Sequence, residues 1–273
     1  MSKIIAVDLG GTNLRVGIVQ INGNSRKILR YNKNPTPKKE KELVDLMVKM
    51  ISEFDSKDVI GIGVGSPGPL ANGIIINPPN LPLRNFNLKG FLEKKFKKKV
   101  VVENDAKCVA LSEAKLGCKK KNFIILTFGT GIGGGVIMNH ELYKGEGNGG
   151  ELGHMVLDNG KWFEDLWKES KEMMRKSFGK EIFVRDLIKM NSPESNAILD
   201  HIVKYLSQGI ASLMNIFDPE IVILMGGARE AGEPFLNRIR KEVDRYKIIK
   251  RDIPIQWSKQ EHPGIMGASL LVR

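Results

Sequence analysis

Apolar residues gather in short runs from the start of the chain. Residues 3–8 form an apolar run ending in a polar turn and residues 14–21 form a second, so the pattern predicts two strands joined by a hairpin with DLGGTN at its tip. A third strand is predicted near residues 27–31, and Pro35 and Pro37 mark a crossing segment. Leu43, Leu46, Met47, Met50, Ile51 and Phe54 then recur at helical spacing ahead of a buried strand at 59–64. A strand at 100–102 ends at Glu103 and Asn104, and Asp105 opens a helix closed by Gly117. The second half repeats the opening theme: a strand at 123–128, the glycine-rich FGTGIGGG, and a strand at 136–138. Two similar hairpins suggest two related domains. The longest helical pattern has Ser192 as N-cap and Pro193 in its first turn, continues through Ile198, Ile202, Leu206, Ile210 and Leu213, and stops at Asp218-Pro219. A β-branched strand at 221–225 closes on Gly226-Gly227, and a short helix from about residue 264 ends the chain.

With 273 residues, 41% of them hydrophobic, the chain can bury one core or two modest ones. No apolar run approaches the roughly 18 residues of a membrane span, and no signal-peptide pattern opens the sequence, so a cytoplasmic protein without a membrane partner is expected. Cys108 and Cys118 lie in no CxxC pair and read as free thiols, against a disulfide framework or a zinc ribbon. A formal charge of +12 raises nucleic-acid binding as a class, but the lysines are spread widely, which favours a solvated basic surface and no nucleic-acid partner.

The chemistry gathers at the glycine turns. DLGGTN places two adjacent glycines and a Thr between strands, which lets backbone N–H groups approach an anion while Asp8 stands near a metal. An ordinary glycine hairpin is the alternative reading. GTGIGGG, residues 129–135, is a second such loop. Neither is a P-loop, because no GKS or GKT follows, and the second runs on into a strand where a dinucleotide fold needs a helix. Two glycine hairpins in twin domains suit a nucleotide held from both sides. Asp105 admits two readings. As an N-cap it is structural; as a carboxylate at a strand end it can accept a hydroxyl proton while that oxygen attacks phosphorus.

In this order the motifs resemble the ROK family of glucokinases, other hexose and amino-sugar kinases, and sugar-responsive repressors. The resemblance rests on DLGGTNLRVG at the start, GSPGPL from Gly65, NPPNLP from Asn77, ENDAKCVAL, TFGTGIGGGV, GELGHM from Gly150, FDPEIVILMGG from Phe217 and PGIMGAS near the end. It implies an α/β, two-lobed actin/hexokinase-like (ribonuclease H-like) fold, with the active site in the interdomain cleft. A smaller lobe over 1–105, joined by the C-terminal helix at about 264–273, and a larger lobe over 106–263 are expected. The implied reaction is ATP- and Mg²⁺-dependent phosphorylation of a hexose, with Asp105 as catalytic base. Asn80, Asn104, Glu151 and His154 are implied to contact the sugar. The phosphate loops are implied at Asp8, Gly10, Gly11, Thr12 and Asn13 and at Thr130, Gly131 and Gly133, with Gly226 and Gly227 on the adenosine side and Asp8 holding magnesium through water. A homodimer or larger assembly is also implied.

One departure is informative. Zinc-bearing relatives follow the GHM histidine with a cysteine-rich segment, whereas this chain reads HMVLDNGKWFEDLWKES, so no structural zinc is expected. Aligning Phe163-Glu164 with the end of that segment makes Glu164 the third sugar acid, and Trp162 and Trp167 stand where packing can replace the metal. An N-acetylhexosamine (N-acetylmannosamine or N-acetylglucosamine) or fructose kinase is the alternative within kinases. A sugar-sensing regulator and an actin-like ATPase are the rivals of other classes. The first is disfavoured because the phosphate hairpin starts within the first dozen residues, the second because of GELGHM.

Overall fold

The computed structural model describes residues 2–23 and 25–272, which divide into two units. The first unit runs through Cys118 and also takes residues 144–149 and those from Gln260 onward; the second takes 119–143 and 150–259. In the first unit, β1 (Lys3–Leu9), β2 (Asn13–Asn22) and β3 (Ser25–Pro35) precede α1 (Glu40–Ser52) and β4 (Val59–Ser66). Three two-residue strands follow, β5 (Leu70–Ala71), β6 (Ile74–Ile75) and β7 (Phe86–Asn87), then α2 (Leu88–Phe96), β8 (Lys99–Asn104) and α3 (Asp105–Ser112). The long strands form one sheet in the order β3-β2-β1-β4-β8, in which β1, β4 and β8 run parallel.

Side chains alternate across a strand, so β1 serves two cores. Ile5, Val7 and Leu9 pack with Leu43, Met47, Met50 and Ile51 of α1 on one face, while Ala6 joins Cys108, Ile265 and Ala268 on the other. Each buried α1 side chain contributes about 1.5–3 kcal/mol. That packing, and no N-cap side chain, holds the helix in place.

The second unit begins with β9 (Phe123–Phe128), β10 (Ile132–Met138) and β11 (Glu141–Leu142). It continues with β12 (Val156–Asp158), β13 (Lys161–Trp162), α4 (Phe163–Phe178), α5 (Val184–Met190), α6 (Pro193–Phe217), β14 (Ile221–Gly226), α7 (Gly232–Val243) and β15 (Ile255–Trp257). Its sheet has the order β11-β10-β9-β14-β15, with β9, β14 and β15 parallel. Both expected hairpins are therefore present, β1–β2 and β9–β10, each opening a five-stranded sheet with three parallel strands. Ser192 caps α6 as expected: its side chain accepts from the Ser195 N–H at 3.2 Å, and Ser195 Oγ accepts from the Ser192 N–H at 2.9 Å.

The last helix, α8 (Pro263–Leu270), returns to the first unit and lies directly on backbone. A Cβ on Gly63 of β4 would fall 1.9 Å from the Ala268 carbonyl oxygen, and one on Gly267 would fall 1.8 Å from that of Cys108 in α3. Because α3 is packed this way against α8, the first unit extends past Asp105 to take in α3 and the π-helical turn Glu113–Gly117 that continues it. No helix among the described residues is long and apolar enough to cross a membrane.

A methyl group has no room between α8 and α3, so Gly267→Ala is expected to lower stability by about 1–3 kcal/mol, seen as a drop in urea midpoint without loss of slope. An unchanged midpoint would contradict the close backbone approach.

Candidate functional site

The parallel strands of the first sheet end along one edge. Asp8 pairs in register with Gly65, Gly65 with Glu103, and Ser66 with Asn104, so the carboxyl ends of β1, β4 and β8 bring Asp8, Ser66, Asn104 and Asp105 together. That edge is where ligands bind in open α/β sheets. Gly65 fits closely there: a Cβ on it would lie 3.1 Å from Cys108 Sγ and 3.4 Å from the Asp105 Cα.

The turn from Gly10 to Asn13 is held by its acceptors. Gly10 N–H donates to the Asn13 carbonyl at 3.0 Å, Thr36 Oγ1 donates to the Gly10 carbonyl at 2.6 Å, and Thr36 N–H donates to the Thr12 carbonyl at 3.0 Å. Lys38 Nζ reaches the Gly11 carbonyl at 3.3 Å. Asn80 sits against this turn, since a Cβ on Gly11 would lie 2.7 Å from its own. Asp8 is half-buried near the end of β1, accepts from Arg15 Nη1 at 2.8 Å, and packs so closely on Gly264 that a Cβ there would fall 2.6 Å from its carboxyl carbon. Burial pushes the Asp8 carboxyl up, outweighing the Arg15 guanidinium that pulls it down.

The N-cap of α3 is Asn104, and Asp105 is the first residue inside the helix. Asn104 Oδ1 accepts from the Lys107 N–H at 3.1 Å, and Asp105 Oδ1 accepts from the Ala106 N–H at 2.9 Å. The capping reading thus passes to the neighbour, and the Asp105 charge lies where the helix dipole stabilises it. The fully buried Lys107 donates to the Gly147 carbonyl at 2.5 Å, and Glu103 pairs with Lys144. These two contacts tie segment 144–149 to the first unit. Neither was anticipated from the sequence.

In the second unit, β14 pairs with β9 so that Gly226 stands opposite Phe128, beside the turn that carries Thr130 and Gly131. Gly226 has φ 121°, and a Cβ on it would lie 1.9 Å from the Phe128 carbonyl oxygen, so only glycine fits. Gly227 follows it in a 3₁₀ turn. Gly133 lies inside β10, opposite Thr127, because the strand begins at Ile132, earlier than the apolar pattern indicated.

Helix α4 underlies this turn. Glu164, in its first turn, presses on Gly131 so that a Cβ there would meet Glu164 Oε2 at 2.0 Å, and it pairs with Lys168 at 2.5 Å. Trp167 Nε1 donates to the Gly129 carbonyl at 3.1 Å, and Lys171 Nζ donates to the same carbonyl at 2.7 Å and to that of Thr130 at 3.1 Å. Glu151 caps, and His154 ends, a 3₁₀ turn packed on the start of β10, where a Cβ on Gly153 would fall 1.9 Å from the Ile132 carbonyl oxygen. His154 Nδ1 lies 3.5 Å from Glu151 Oε2, and the His154 ring meets Trp162 edge-on with centroids 4.9 Å apart. Glu151, His154, Glu164, Thr130 and Gly131 are thus gathered around one strand end. Among the described residues, no group of three or more His, Cys, Asp and Glu is arranged to hold a metal ion.

Sequence reading missed α4 and with it Lys171. The signal was present: Phe163, Leu166, Trp167, Ser170 and Met174 are its buried residues, at helical spacing.

A profile described as ROK family matches residues 4–273. The chain is 30% identical over 310 residues to a glucokinase of Thermotoga maritima, covering 99% of this chain and 97% of that one. It is 33% identical over 224 residues to a xylose repressor of Bacillus spizizenii, covering 73% of this chain and 58% of the repressor. Among solved structures, a ROK family glucokinase from Streptomyces griseus in complex with glucose and AMPPNP superposes with a TM-score of 0.85 at 26% identity, covering 100% of this chain and 99% of that one.

The raised carboxyl of Asp8 has a stability consequence. A carboxyl that binds its proton more tightly when folded loses stability as pH rises from the unfolded value near 3.8 through the folded one. Asp8→Asn keeps an acceptor for Arg15 and discards the charge. It is expected to melt at or above the wild-type temperature at pH 7 and to lose that advantage below about pH 4. A melting point well below wild type at pH 7 would show that the Arg15 pair outweighs burial.

Proposed function

The chain belongs to the ROK family, with its two-lobed actin/hexokinase-like fold, and on that premise we propose that it is an ATP-dependent sugar kinase whose acceptor is a hexose, glucose first. The observation that carries the assignment of roles is the shared edge of the first sheet, where Asp8 and Asn104-Asp105 stand at neighbouring strand ends. Asp105 takes the proton of the sugar hydroxyl, the primary one, as that oxygen attacks the γ-phosphorus in line and ADP leaves. Asn104 spends its side-chain oxygen on the helix cap and keeps its amide N–H groups for a hydroxyl. Asn80, Glu151, His154 and Glu164 supply the remaining donors and acceptors a polyhydroxylated ring needs.

Backbone N–H groups of Gly10, Gly11, Thr12 and Asn13 and of Thr130, Gly131 and Gly133 serve the phosphates, and Gly226-Gly227 leaves room on the adenosine side. Asp8 suits magnesium, because this ion needs only one or two carboxylates beside substrate phosphates, and a nearby cation offsets the burial that raises its carboxyl. Bound with ATP, magnesium neutralises charge on the β- and γ-phosphates. The cytoplasmic location expected for the chain is where ATP is supplied.

The similarity to a xylose repressor keeps a regulator as the second reading, which salt-sensitive binding to duplex DNA would reveal.

ADP release from MgATP across hexoses, N-acetylhexosamines, fructose and a no-sugar blank tests the assignment. Strong stimulation by one hexose is expected, glucose foremost; hydrolysis indifferent to sugar would replace the kinase with an assembly ATPase. Asp105→Asn is expected to reduce turnover by about 10²–10⁴-fold with sugar and MgATP binding retained. Near-normal turnover would remove Asp105 from its role.

A further inference from the structure

We propose that Lys171 is the positioning residue of the second glycine turn: by holding two successive carbonyl groups against α4, it aims the N–H groups of Thr130 and Gly131 outward as a preformed phosphate cradle. The proposal rests on the reading of that turn as a phosphate site.

The argument starts from the peptide unit. A trans peptide is planar, with its C=O and N–H pointing in opposite directions. The carbonyl of Gly129 shares a plane with the N–H of Thr130, and the carbonyl of Thr130 with the N–H of Gly131. Lys171 Nζ takes both carbonyls, at 2.7 and 3.1 Å, and Trp167 Nε1 adds a second donor to the first at 3.1 Å. With both carbonyls drawn toward the helix, both N–H groups must face away from it. The cation also polarises these peptides, which strengthens the N–H groups as donors to an anion.

The two carbonyl groups are the closest polar contacts recorded for this lysine among the described residues. Its side chain is only 16% exposed; Glu181 Oε2 lies 3.9 Å from its ammonium, while the other oxygen of that carboxylate, Oε1, is held by Arg175 at 2.5 Å. Trp167 lies one helical turn earlier, its ring centroid 5.6 Å from the ammonium, so the two donors rise from one face of α4. A glycine-rich turn has no side chains to stiffen it, and without these ties the two peptides are free to flip.

The test compares Lys171→Met, which removes the donor at similar length, with Lys171→Arg, which keeps charge and several donors. Readouts are KM for MgATP, KM for the sugar, kcat, nucleotide binding by calorimetry, and thermal midpoint. For Lys171→Met the MgATP KM and the nucleotide Kd are expected to rise about tenfold, with sugar KM within about twofold and most of the loss restored in Lys171→Arg. Trp167→Phe, which removes one donor and keeps a ring, is expected to shift MgATP KM in the same direction by less, and stands in if Lys171→Met does not fold. Unchanged nucleotide binding in folded Lys171→Met, or equal losses for nucleotide and sugar with no rescue by Arg, would overturn the positioning role while leaving the kinase assignment intact. A wild-type protein that phosphorylates no sugar and binds no nucleotide would instead remove the assignment and this proposal with it.

Discussion

Backbone lies on backbone where α8 crosses the first sheet, and the candidate residues of that unit depend on this contact. Gly63 in β4 and Gly267 in α8 leave no space for a single methyl group against Ala268 and Cys108, so strand, C-terminal helix and α3 are locked at the shortest distance the chain permits. Two functional consequences follow from this geometry. The start of α8 brings Gly264 onto the carboxyl of Asp8, and α3, held from behind at Cys108, presents Asp105 at the end of β8. A residue more than 250 positions from the start of the chain thereby shapes the environment of the eighth.

The second unit uses charge for a comparable purpose. Its glycine turn has no side chains to pack, so α4 holds it by carbonyl oxygens, through Trp167 and Lys171. The first unit repeats the device, with Lys107 donating to the carbonyl of Gly147 in a glycine-rich segment. Burying a lysine is unfavourable unless its ammonium finds acceptors, and carbonyl groups of ordered turns supply them. Burial lowers the pKa of Lys171, while Glu181 partly restores the charged form. Part of the formal charge of +12 is thus structural, and reading all the lysines as solvated surface missed these two.

Asp8 shows the opposite balance. Its burial works against the ionised carboxylate, and Arg15 offsets only part of that effect. Strained or costly groups at functional positions are common where activity and stability compete. Here the cost falls on a residue whose proposed role is to face a cation, which would relieve it.

The chain by itself determined its local periods and its turn chemistry. Short apolar runs set β1, β2 and β9, the 3.6-residue pattern and the Ser192 cap set α6, and the ordered motifs singled out Asp8, Gly10, Asn104, Asp105, Glu151 and His154 as candidates. Only the tertiary structure decided what those residues touch. Register places Asp8 beside Gly65 and Gly65 beside Glu103, α4 carries Glu164 to Gly131, Asn104 takes the cap that Asp105 was equally suited to fill, and Lys107 and Lys171 turn inward. The physical reason is range. Periodicity and capping act within a few residues and are written in composition, whereas strand register, helix crossing and the burial of a charge depend on partners dozens to hundreds of residues away, whose approach no local pattern encodes.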